Sequence, residues 1–528
     1  MSLALVGANV GTGVPPVPAA KERLGAIDVG SNSIRLLVAE YDPAAGLSVI
    51  DEVKDQPRLA QRLAATGMLD PAAMERAMEA LRRMREVCQR RGVSRIAAVA
   101  TSAVREAKNG KEFVRLVREQ LDIPLRIIDG DKEARLSFRS VAHHFRLDAG
   151  RSVIADIGGG SLELIASVKG LIEQKVSLPF GAVRLTEAFM ADRRDPRKAV
   201  RDLRAMVRKK FRKDLSLRKW QAQTVIGSGG SFTNLGRMVV ARRGIPASDS
   251  VHGVSVTVSE VEQLLEWLET MNPEQRRQVA GLSPLRADII LAGLAVTVEL
   301  LERVDAREVV VSAFGLREGL LLEMVGKGVA EPHRQDPLLL AREFVERCQG
   351  DRRHVEQVRR LALMLFDQIG ERTGCGPDER RLLEYAGLLH DVGQLVSYRG
   401  HHKHSLQLIL NADRLNFSAR DRLLVALISR YHRKAGPSKK HELFVQLPEE
   451  DQAVVRRVSG LLRLADGLDR GHTAVVETLR TRLTVDKLTV TVAPRLAGSD
   501  CSLEVWGAER KSDVLAKVLG REIVIRTG

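Results

Sequence analysis

Two glycine-rich turns carry backbone and side-chain groups that could bind phosphate. Residues 24–40 read as an apolar strand, the turn DVGSNS and a second apolar run, a pattern typical of a hairpin. Residues 152–168 repeat this pattern around the turn DIGGGS, with Asp156 in the place of Asp28. The match extends into the apolar residues that follow, so the sequence predicts an internal repeat of whole half-domains.

The chemistry of both turns suits a phosphorylated ligand. Glycine lets a phosphate approach the backbone N–H groups without a β-carbon in the way, and serine and asparagine add donors. Each aspartate ends a buried strand, where its carboxylate could bind Mg²⁺ or a Mg²⁺-bound water. The expected phosphate-binding set comprises Asp28, Gly30, Ser31, Asn32 and Ser33 in the first turn, and Gly158, Gly159, Gly160 and Ser161 in the second.

Three further segments could complete this site. A strand, a glycine turn and a predicted helix start at 224–236 make an anion site from Gly227, Ser228, Gly229, Gly230 and Ser231. Arg105 opens a helix beyond the strand that ends near residue 101, and it could pair with a phosphate or be a surface arginine. Glu133 lies in the first turn of a predicted helix, where a helix-dipole carboxylate and a catalytic base are equally compatible with the residues.

These motifs belong to a long, basic chain. Its 528 residues predict about three or four domains. Lysine and arginine number 83 against 67 acidic residues, and this formal charge of +16 favours polyanionic partners unless it reflects only a basic proteome. The four cysteines form no CxxC pair, and no apolar run is long enough to span a bilayer, so we expect a cytoplasmic protein.

Six ordered motifs over residues 24–325 resemble the exopolyphosphatase and guanosine pentaphosphate phosphohydrolase family. They are IDVGSNSIRLLVAE, ATSAVREAKN, IDGDKEARLSF, IADIGGGSLELI, GSGGSFTNLG and SAFGLREGLL. The resemblance implies two ribonuclease-H-like α/β domains of the actin, Hsp70 and sugar kinase superfamily, facing each other across a cleft. The duplicated turn supports the same fold independently.

The resemblance also implies roles for individual residues. Glu133 would be the general base, Asp156 and Glu163 the carboxylates that bind Mg²⁺, and Arg105 a phosphate clamp among the catalytic residues. Family members often have two adjacent acidic residues before Ala-Arg, whereas this chain has Lys132 followed by Glu133. That departure changes the charge near the base and retains the base itself.

A second resemblance covers roughly residues 340–475, where amphipathic helices replace the strand signals. The order His354, His390-Asp391 and Asp466 is similar to that of the HD phosphohydrolase superfamily. The resemblance implies that these four residues bind a second divalent metal, although such a domain can also serve only as a scaffold. His404 and His432 are further candidate ligands or phosphate contacts.

The expected domain order follows from these motifs. It is a flexible tail at 1–22, actin-like domains I and II at 23–148 and 149–328, an HD-like helical domain at 329–477, and a small α+β segment at 478–528. The last helix of domain II is expected to pack back on domain I. In the final segment, CSLEVWG is predicted to be a strand and 510–519 a helix.

The favoured function is Mg²⁺-assisted release of terminal orthophosphate from inorganic polyphosphate. Guanosine pentaphosphate (pppGpp) 5′-phosphohydrolase is the alternative, because the same motifs support both. A sugar or acetate kinase, and a polyphosphate or nucleotide sensor without catalysis, are less favoured. No specific nucleic-acid binding is expected, because aromatic residues make up only 4%. We expect no membrane insertion, and a homodimer.

Overall fold

A computed structural model describes residues 21–43, 46–145, 147, 150–190, 195–243, 251–326, 337–412, 415 and 417–528. The predicted tail therefore lies outside the described residues except for Lys21 and Glu22, and Glu22 already begins the first strand. The predicted boundary at 328–329 also lies outside them. Among the described residues, no helix combines the length and the apolar character needed to cross a membrane.

The first domain is a five-stranded sheet flanked by helices. Its elements are β1 Glu22–Val29, β2 Ile34–Asp42, β3 Gly46–Asp55, α1 Leu63–Thr66, α2 Pro71–Arg90, β4 Arg95–Ala100, α3 Ser102–Glu106, α4 Gly110–Leu121, β5 Leu125–Ile127 and α5 Gly130–His144. The strand order is β3-β2-β1-β4-β5: β1 to β3 form an antiparallel meander, and β4 and β5 add in parallel. The predicted first hairpin is β1–β2.

The second domain repeats this arrangement. Its elements are β6 Arg151–Ile157, β7 Leu162–Val168, β8 Leu171–Leu178, α6 Ala182–Phe189, α7 Pro196–Asp214, α8 Leu217–Trp220, β9 Thr224–Ser228, α9 Gly230–Arg242, β10 Ser255–Thr257, α10 Val258–Glu269, α11 Pro273–Arg277, α12 Ile290–Val304, β11 Glu308–Val311 and α13 Leu316–Met324. The order β8-β7-β6-β9-β11 matches that of the first sheet, and β10 adds an antiparallel edge.

Helix α13 ties the two domains together. Although it follows the last strand of the second sheet, Leu316 and Leu320 are buried in one cluster with Leu24, Ala26 and Val99 of the first sheet. Arg317 on the same helix donates to Glu52 Oε1 at 2.7 Å. The chain therefore returns to the first domain before it enters the helical region.

Helices dominate the next part of the chain. They are α14 Pro337–Arg347, α15 Arg352–Ile369, α16 Pro377–Leu389, α17 His401–Leu410, α18 Ala419–Arg430, α19 Glu442–Val445 and α20 Glu449–Gly467. Their apolar faces share one large core, to which Val355, Val358, Leu361, Ala362 and Leu365 of α15 contribute at the helical spacing seen in the sequence. We call this region domain III.

The C-terminal segment contains β12 Val476–Leu483, β13 Lys487–Pro494, α21 Ser502–Glu509, α22 Asp513–Leu519 and β14 Glu522–Thr527. The prediction of a strand for CSLEVWG was wrong, because helix α21 begins at Ser502. Its buried residues Glu504, Gly507 and Ala508 follow helical spacing and face α20, where Gly467 allows close contact with Ala508. Tertiary packing thus overrides an alternating local pattern.

Residues 204–219 are rich in lysine and arginine and span two helices, since α7 ends at Asp214 and α8 begins at Leu217. Arg204 and Arg208 both bind the buried carboxylate of Glu299, at 2.7 and 2.8 Å. These two arginines therefore neutralise an internal charge.

The contact between α13 and α5 gives a stability prediction. A β-carbon at Gly319 would lie under 3.0 Å from the backbone of Leu136 on α5, so Gly319→Ala should force these helices apart. Overpacking of this kind costs about 1–3 kcal/mol of the free energy of unfolding. The midpoint of urea denaturation should fall. Gly376→Ala is the control, because its β-carbon would meet nothing closer than Glu379 at 3.5 Å; equal midpoints for both variants would contradict the prediction.

Candidate active site

The cleft between the two sheets collects most of the predicted phosphate-binding residues. Both hairpin turns line it, together with the start of α9 and the segment leading into α13. The predicted residues that line it are Asp28, Gly30, Ser31, Asn32, Ser33, Glu133, Asp156, Gly158, Gly159, Gly160, Ser161, Gly229 and Gly230. The internal repeat therefore places equivalent turns on opposite sides of one site.

The two turns have the same backbone closure. Gly30 N donates to Ser33 O at 3.1 Å, and Gly158 N donates to Ser161 O at 2.9 Å. The turns also touch each other, since a β-carbon at Gly160 would lie under 3.0 Å from the side chain of Ser31. Glycine is needed here because the two domains approach closely. The missing side chain also leaves backbone N–H groups accessible to an anion.

Glu133 enters the cleft from the start of α5. Asp129 caps this helix by accepting from Lys132 N at 2.7 Å, which fixes the first turn that carries Glu133. Arg105 Nη1 donates to Glu133 Oε2 at 3.0 Å and to Ile128 O at 2.8 Å. The predicted phosphate clamp therefore contacts the predicted base, and Arg105 stands behind the residues that line the cleft.

Burial makes two glutamates at this site hard to ionise. It raises the pKa of Glu133 well above its usual value, and the nearby charge of Glu163 raises that pKa further, whereas Arg105 lowers it. Burial also raises the pKa of Glu163 to about 7, although hydrogen bonds from Ser161 and Ser177 oppose the shift. A bound cation would relieve this accumulation of negative charge.

Two aspartates face the cleft at the ends of equivalent strands. Ser137 Oγ donates to Asp156 Oδ2 at 2.8 Å, which orients that carboxylate. Asp28 Oδ1 is buried without a hydrogen-bond partner among the described residues, and burial raises the pKa of Asp28 to about 6. Carboxylate oxygens of this kind, one of them unsatisfied, fit Mg²⁺, which takes one or two carboxylates together with substrate phosphates. Glu163 accepts from Ser177 Oγ at 2.9 Å and lies behind the cleft surface.

The third glycine turn enters the site only in part. Gly229 and Gly230 line the cleft, whereas the other three predicted residues pack behind it. A β-carbon at Gly227 would meet the ring of Phe232, and Ser231 lies against Gly293 of α12. Ser228 is buried, and its hydroxyl has no hydrogen-bond partner among the described residues.

Sequence reasoning missed three arginines of the cleft. Arg35, Arg286 and Arg317 line it. Burial lowers the pKa of Arg35, and it lowers the pKa of Arg286 to about 9. The charge of a neighbouring arginine adds to each shift. Arg286 Nε has no partner among the described residues. Arg35 and Arg317 lie within motifs already noted, IDVGSNSIRLLVAE and SAFGLREGLL, so their positions offered a signal. Arg286 lies in the short helical turn Pro284–Arg286, where the sequence offered no such signal.

The helical region gathers the second predicted set. His354 Nε2 lies 3.3 Å from His390 Nε2, 3.7 Å from Asp391 Oδ2 and 3.6 Å from Asp466 Oδ1. His432 also joins, at 3.4 Å from Asp391 Oδ1. His401, which the sequence did not single out, lies 3.1 Å from the same oxygen. His404 belongs to neither of the two groups that could hold a metal among the described residues.

The fold and the cleft define the class of protein: two α/β domains of the predicted ribonuclease-H-like fold, with a glycine-lined cleft between them. The model of the Ppx/GppA phosphatase family matches residues 37–328, and that of Ppx/GppA phosphatase, domain III, matches residues 340–506. The chain therefore belongs to the Ppx/GppA phosphatase family. The resemblance predicted from the six motifs is confirmed.

Solved structures agree with this assignment. The chain is 28% identical to the Aquifex aeolicus member of the Ppx/GppA family, over 58% of this chain and 99% of that one, with a TM-score of 0.51. It is 27% identical to an exopolyphosphatase from Cytophaga hutchinsonii, over 58% and 99% of the two chains, with a TM-score of 0.53.

These matches establish the class of enzyme. The protein is a phosphohydrolase, and its fold is the predicted pair of ribonuclease-H-like domains followed by a helical region. Phosphatases of this family depend in general on divalent metal ions.

The unsatisfied carboxylate of Asp28 gives a prediction for stability. A carboxyl whose pKa is about 6 in the folded protein and 3.8 ordinarily contributes stability below pH 3.8, and that contribution is lost as the pH rises through 6. Asp28→Asn should therefore raise the free energy of unfolding at pH 8, in EDTA, by about 1–3 kcal/mol. At pH 4 the two proteins should be nearly equal.

Urea denaturation at both pH values measures this difference. The control is Asp131→Asn, which removes an exposed carboxylate that forms ion pairs with Arg135 and Lys175. A destabilisation by Asp28→Asn of equal size at pH 4 and pH 8 would contradict the prediction, because it would mean that the carboxylate imposes no electrostatic cost.

Proposed function

We propose that this protein is an exopolyphosphatase that releases terminal orthophosphate from inorganic polyphosphate. The observation that carries the proposal is the buried carboxylate of Glu133 beside a cradle formed by two glycine turns. A base in a water-poor site, facing backbone donors for phosphate, has the arrangement that hydrolysis of a phosphoanhydride requires.

The reaction needs little covalent chemistry from the protein. Glu133 accepts a proton from a water molecule as its oxygen attacks the terminal phosphorus, and the bond to the bridging oxygen breaks. The shortened chain leaves with the negative charge on that oxygen. Backbone N–H groups of the two turns, with Ser31, Asn32 and Ser161, hold the terminal phosphate in line with the water.

Magnesium is the expected cofactor. Asp156 is its proposed ligand in the cleft, and Glu163 would act from behind the cleft surface. The unsatisfied oxygen of Asp28 makes that residue a further proposed ligand. The ion would supply positive charge to the phosphate oxygens during transfer. Arg105 takes the role of a positioning residue in this proposal, because its contact is with Glu133.

The distribution of cations favours a polyanionic substrate. Lys54 is a further cation near the arginines of the cleft. Burial lowers the pKa of Lys54 to about 8, and the nearby charges of Arg35, Arg286 and Arg237 contribute to this shift. Successive phosphates of a chain could neutralise these neighbouring cations, at the cost of strong salt dependence. A guanosine pentaphosphate divides its phosphates between two short runs on the 5′ and 3′ sides of the ribose, and it remains the second candidate.

Removal of the base tests the mechanism. Glu133→Gln keeps the shape of the side chain but cannot accept a proton, so turnover should fall by about 10²–10⁴-fold. Orthophosphate release is measured with Mg²⁺, offering long-chain polyphosphate and guanosine pentaphosphate at equal concentrations of terminal phosphate. Asp131→Asn, in the same helical turn with its carboxylate paired to Arg135, should retain wild-type turnover.

Each outcome has a definite meaning. Preference for polyphosphate with loss of turnover in Glu133→Gln supports the proposal. Preference for guanosine pentaphosphate replaces it with the second candidate. Release that survives Glu133→Gln with both substrates would show that another group is the base.

The pKa of Glu133 predicts the pH dependence of turnover. Burial and the charge of Glu163 raise this pKa, so the acidic limb of kcat/KM should lie above the ordinary value of 4.5 for a glutamate. Arg105 lowers the pKa, so Arg105→Met should move the limb to still higher pH as well as reduce turnover. A pH–rate profile of both proteins measures the shift. A limb that stays in place in Arg105→Met would mean that Glu133 is not the titrating base.

A further inference from the structure

A cavity lies where the second domain meets domain III. The loop before β10 approaches the loop before α18 here, since a β-carbon at Gly253 would lie 3.3 Å from Phe417 O. Ala419, the first residue of α18, packs against the hydrophobic core of the second domain. The cavity beside this contact has a volume of about 480 Å³, and none of the described residues that line it also lines the cleft that contains Glu133. We call it the interdomain cavity.

Apolar side chains form most of the wall of the interdomain cavity. They come from both domains and are Val240, Val254, Leu410, Leu423, Leu443 and Leu447. Sites for small organic molecules typically measure about 300–1,000 Å³ and combine apolar walls with a few polar groups that orient the ligand. The size and the wall of this cavity therefore suit a small organic molecule with an apolar body.

The charged groups of the interdomain cavity are mainly cations. Among the described residues that line it, the three arginines Arg243, Arg420 and Arg422 are accompanied by a single carboxylate, that of Asp451. His252 also lines the cavity, and burial together with the nearby charge of Arg422 lowers the pKa of His252 to about 3, so this ring is neutral at neutral pH. An acidic group on the ligand would match this excess of positive charge.

Arg420 is the cation placed to bind that acidic group. Its Nε donates to Asp451 Oδ1 at 3.1 Å, which orients the guanidinium. Its Nη1 lies 3.9 Å from Asp421 Oδ1, too far for a hydrogen bond, so this nitrogen can still donate to a ligand. Arg243 is engaged more fully, because its Nη2 donates to both carboxylate oxygens of Glu260, at 2.8 and 2.9 Å.

His252 connects the interdomain cavity to the catalytic cleft. Its ring lies 4.9 Å, centroid to centroid, from the ring of Phe314, which lines the cleft. Phe314 also stacks on His144 of α5, the helix that carries Glu133, with centroids 3.7 Å apart. Because protein interiors are close-packed, a ligand that displaces the His252 ring would displace Phe314 toward the cleft.

We propose that the interdomain cavity binds a small organic anion, and that this ligand weakens substrate binding through His252 and Phe314. The apolar body of the ligand lies against the valines and leucines of the wall, and its acidic group binds Arg420. The site is separate from the two glycine turns and from the histidine cluster of domain III.

Anilinonaphthalene sulfonate (ANS) is the probe, because it joins an aromatic body to one sulfonate and fluoresces more strongly in an apolar site. Fluorescence titration of the full-length protein should show saturable binding. Arg420→Met should raise the Kd for ANS about 10–100-fold, as loss of a charged hydrogen bond implies. Asp451→Asn should lower this Kd about 3–10-fold, because it removes a competing negative charge and keeps an oxygen that can accept from Arg420.

Two controls isolate the place and the charge. Arg430→Met removes a cation from the other end of α18, away from the residues that line the cavity, and should leave the Kd for ANS unchanged. Phenylnaphthylamine keeps the rings of ANS without the sulfonate, and its Kd should not respond to Arg420→Met. Opposite shifts in the two variants of one ion pair cannot arise from unfolding. A Kd for ANS that is the same in the wild-type protein, Arg420→Met and Asp451→Asn would overturn the site.

The effect on the cleft is measured separately. Orthophosphate release is followed at an ANS concentration that fills the wild-type cavity and leaves that of Arg420→Met largely empty. The KM of the wild-type protein should rise about 5-fold or more, whereas ANS should not alter the KM of the variant. An unchanged wild-type KM would overturn transmission through His252. The ANS titrations need no turnover, and the KM is measured with whichever of polyphosphate and guanosine pentaphosphate is hydrolysed, so both tests stand even if the function proposed above fails.

Discussion

The close approach of the two glycine turns is the constraint on which the site depends. Gly160 leaves no space for a β-carbon beside Ser31, so the two sheets can meet at the ends of their central strands. Asp28 and Asp156 end those strands and thereby reach the same cleft. A larger residue at this contact would separate the domains, and the carboxylates and phosphate donors would no longer face one ligand.

That contact concentrates negative charge, and the surrounding structure offsets it. Glu133 and Glu163 are buried close enough to raise the pKa of Glu133, while Arg105 works in the opposite direction. Arginines from both domains supply the cationic side of the cleft. Burial of these carboxylates therefore carries an electrostatic cost, which a bound cation would relieve.

Domain III gathers its buried polar side chains in a different way. There, helices α15 to α18 and α20 bring histidines and aspartates to one buried point, and the C-terminal segment adds Lys511. In the cleft between the sheets, glycine turns and arginines predominate instead. The chain thus combines glycine turns with a cluster of buried histidines and aspartates, and the two places have correspondingly different signals in the sequence.

The sequence by itself determined the family, the repeated half-domains and the turns, because glycines and strand-ending aspartates are local features with fixed spacing. It also supplied His354, His390, Asp391 and Asp466. Only the tertiary structure decided that Arg105 contacts Glu133, that Arg286 reaches the cleft and that His401 joins Asp391, since these contacts link residues distant in the chain. It also made CSLEVWG helical, because burial of Ala508 against Gly467 outweighs an alternating pattern of seven residues.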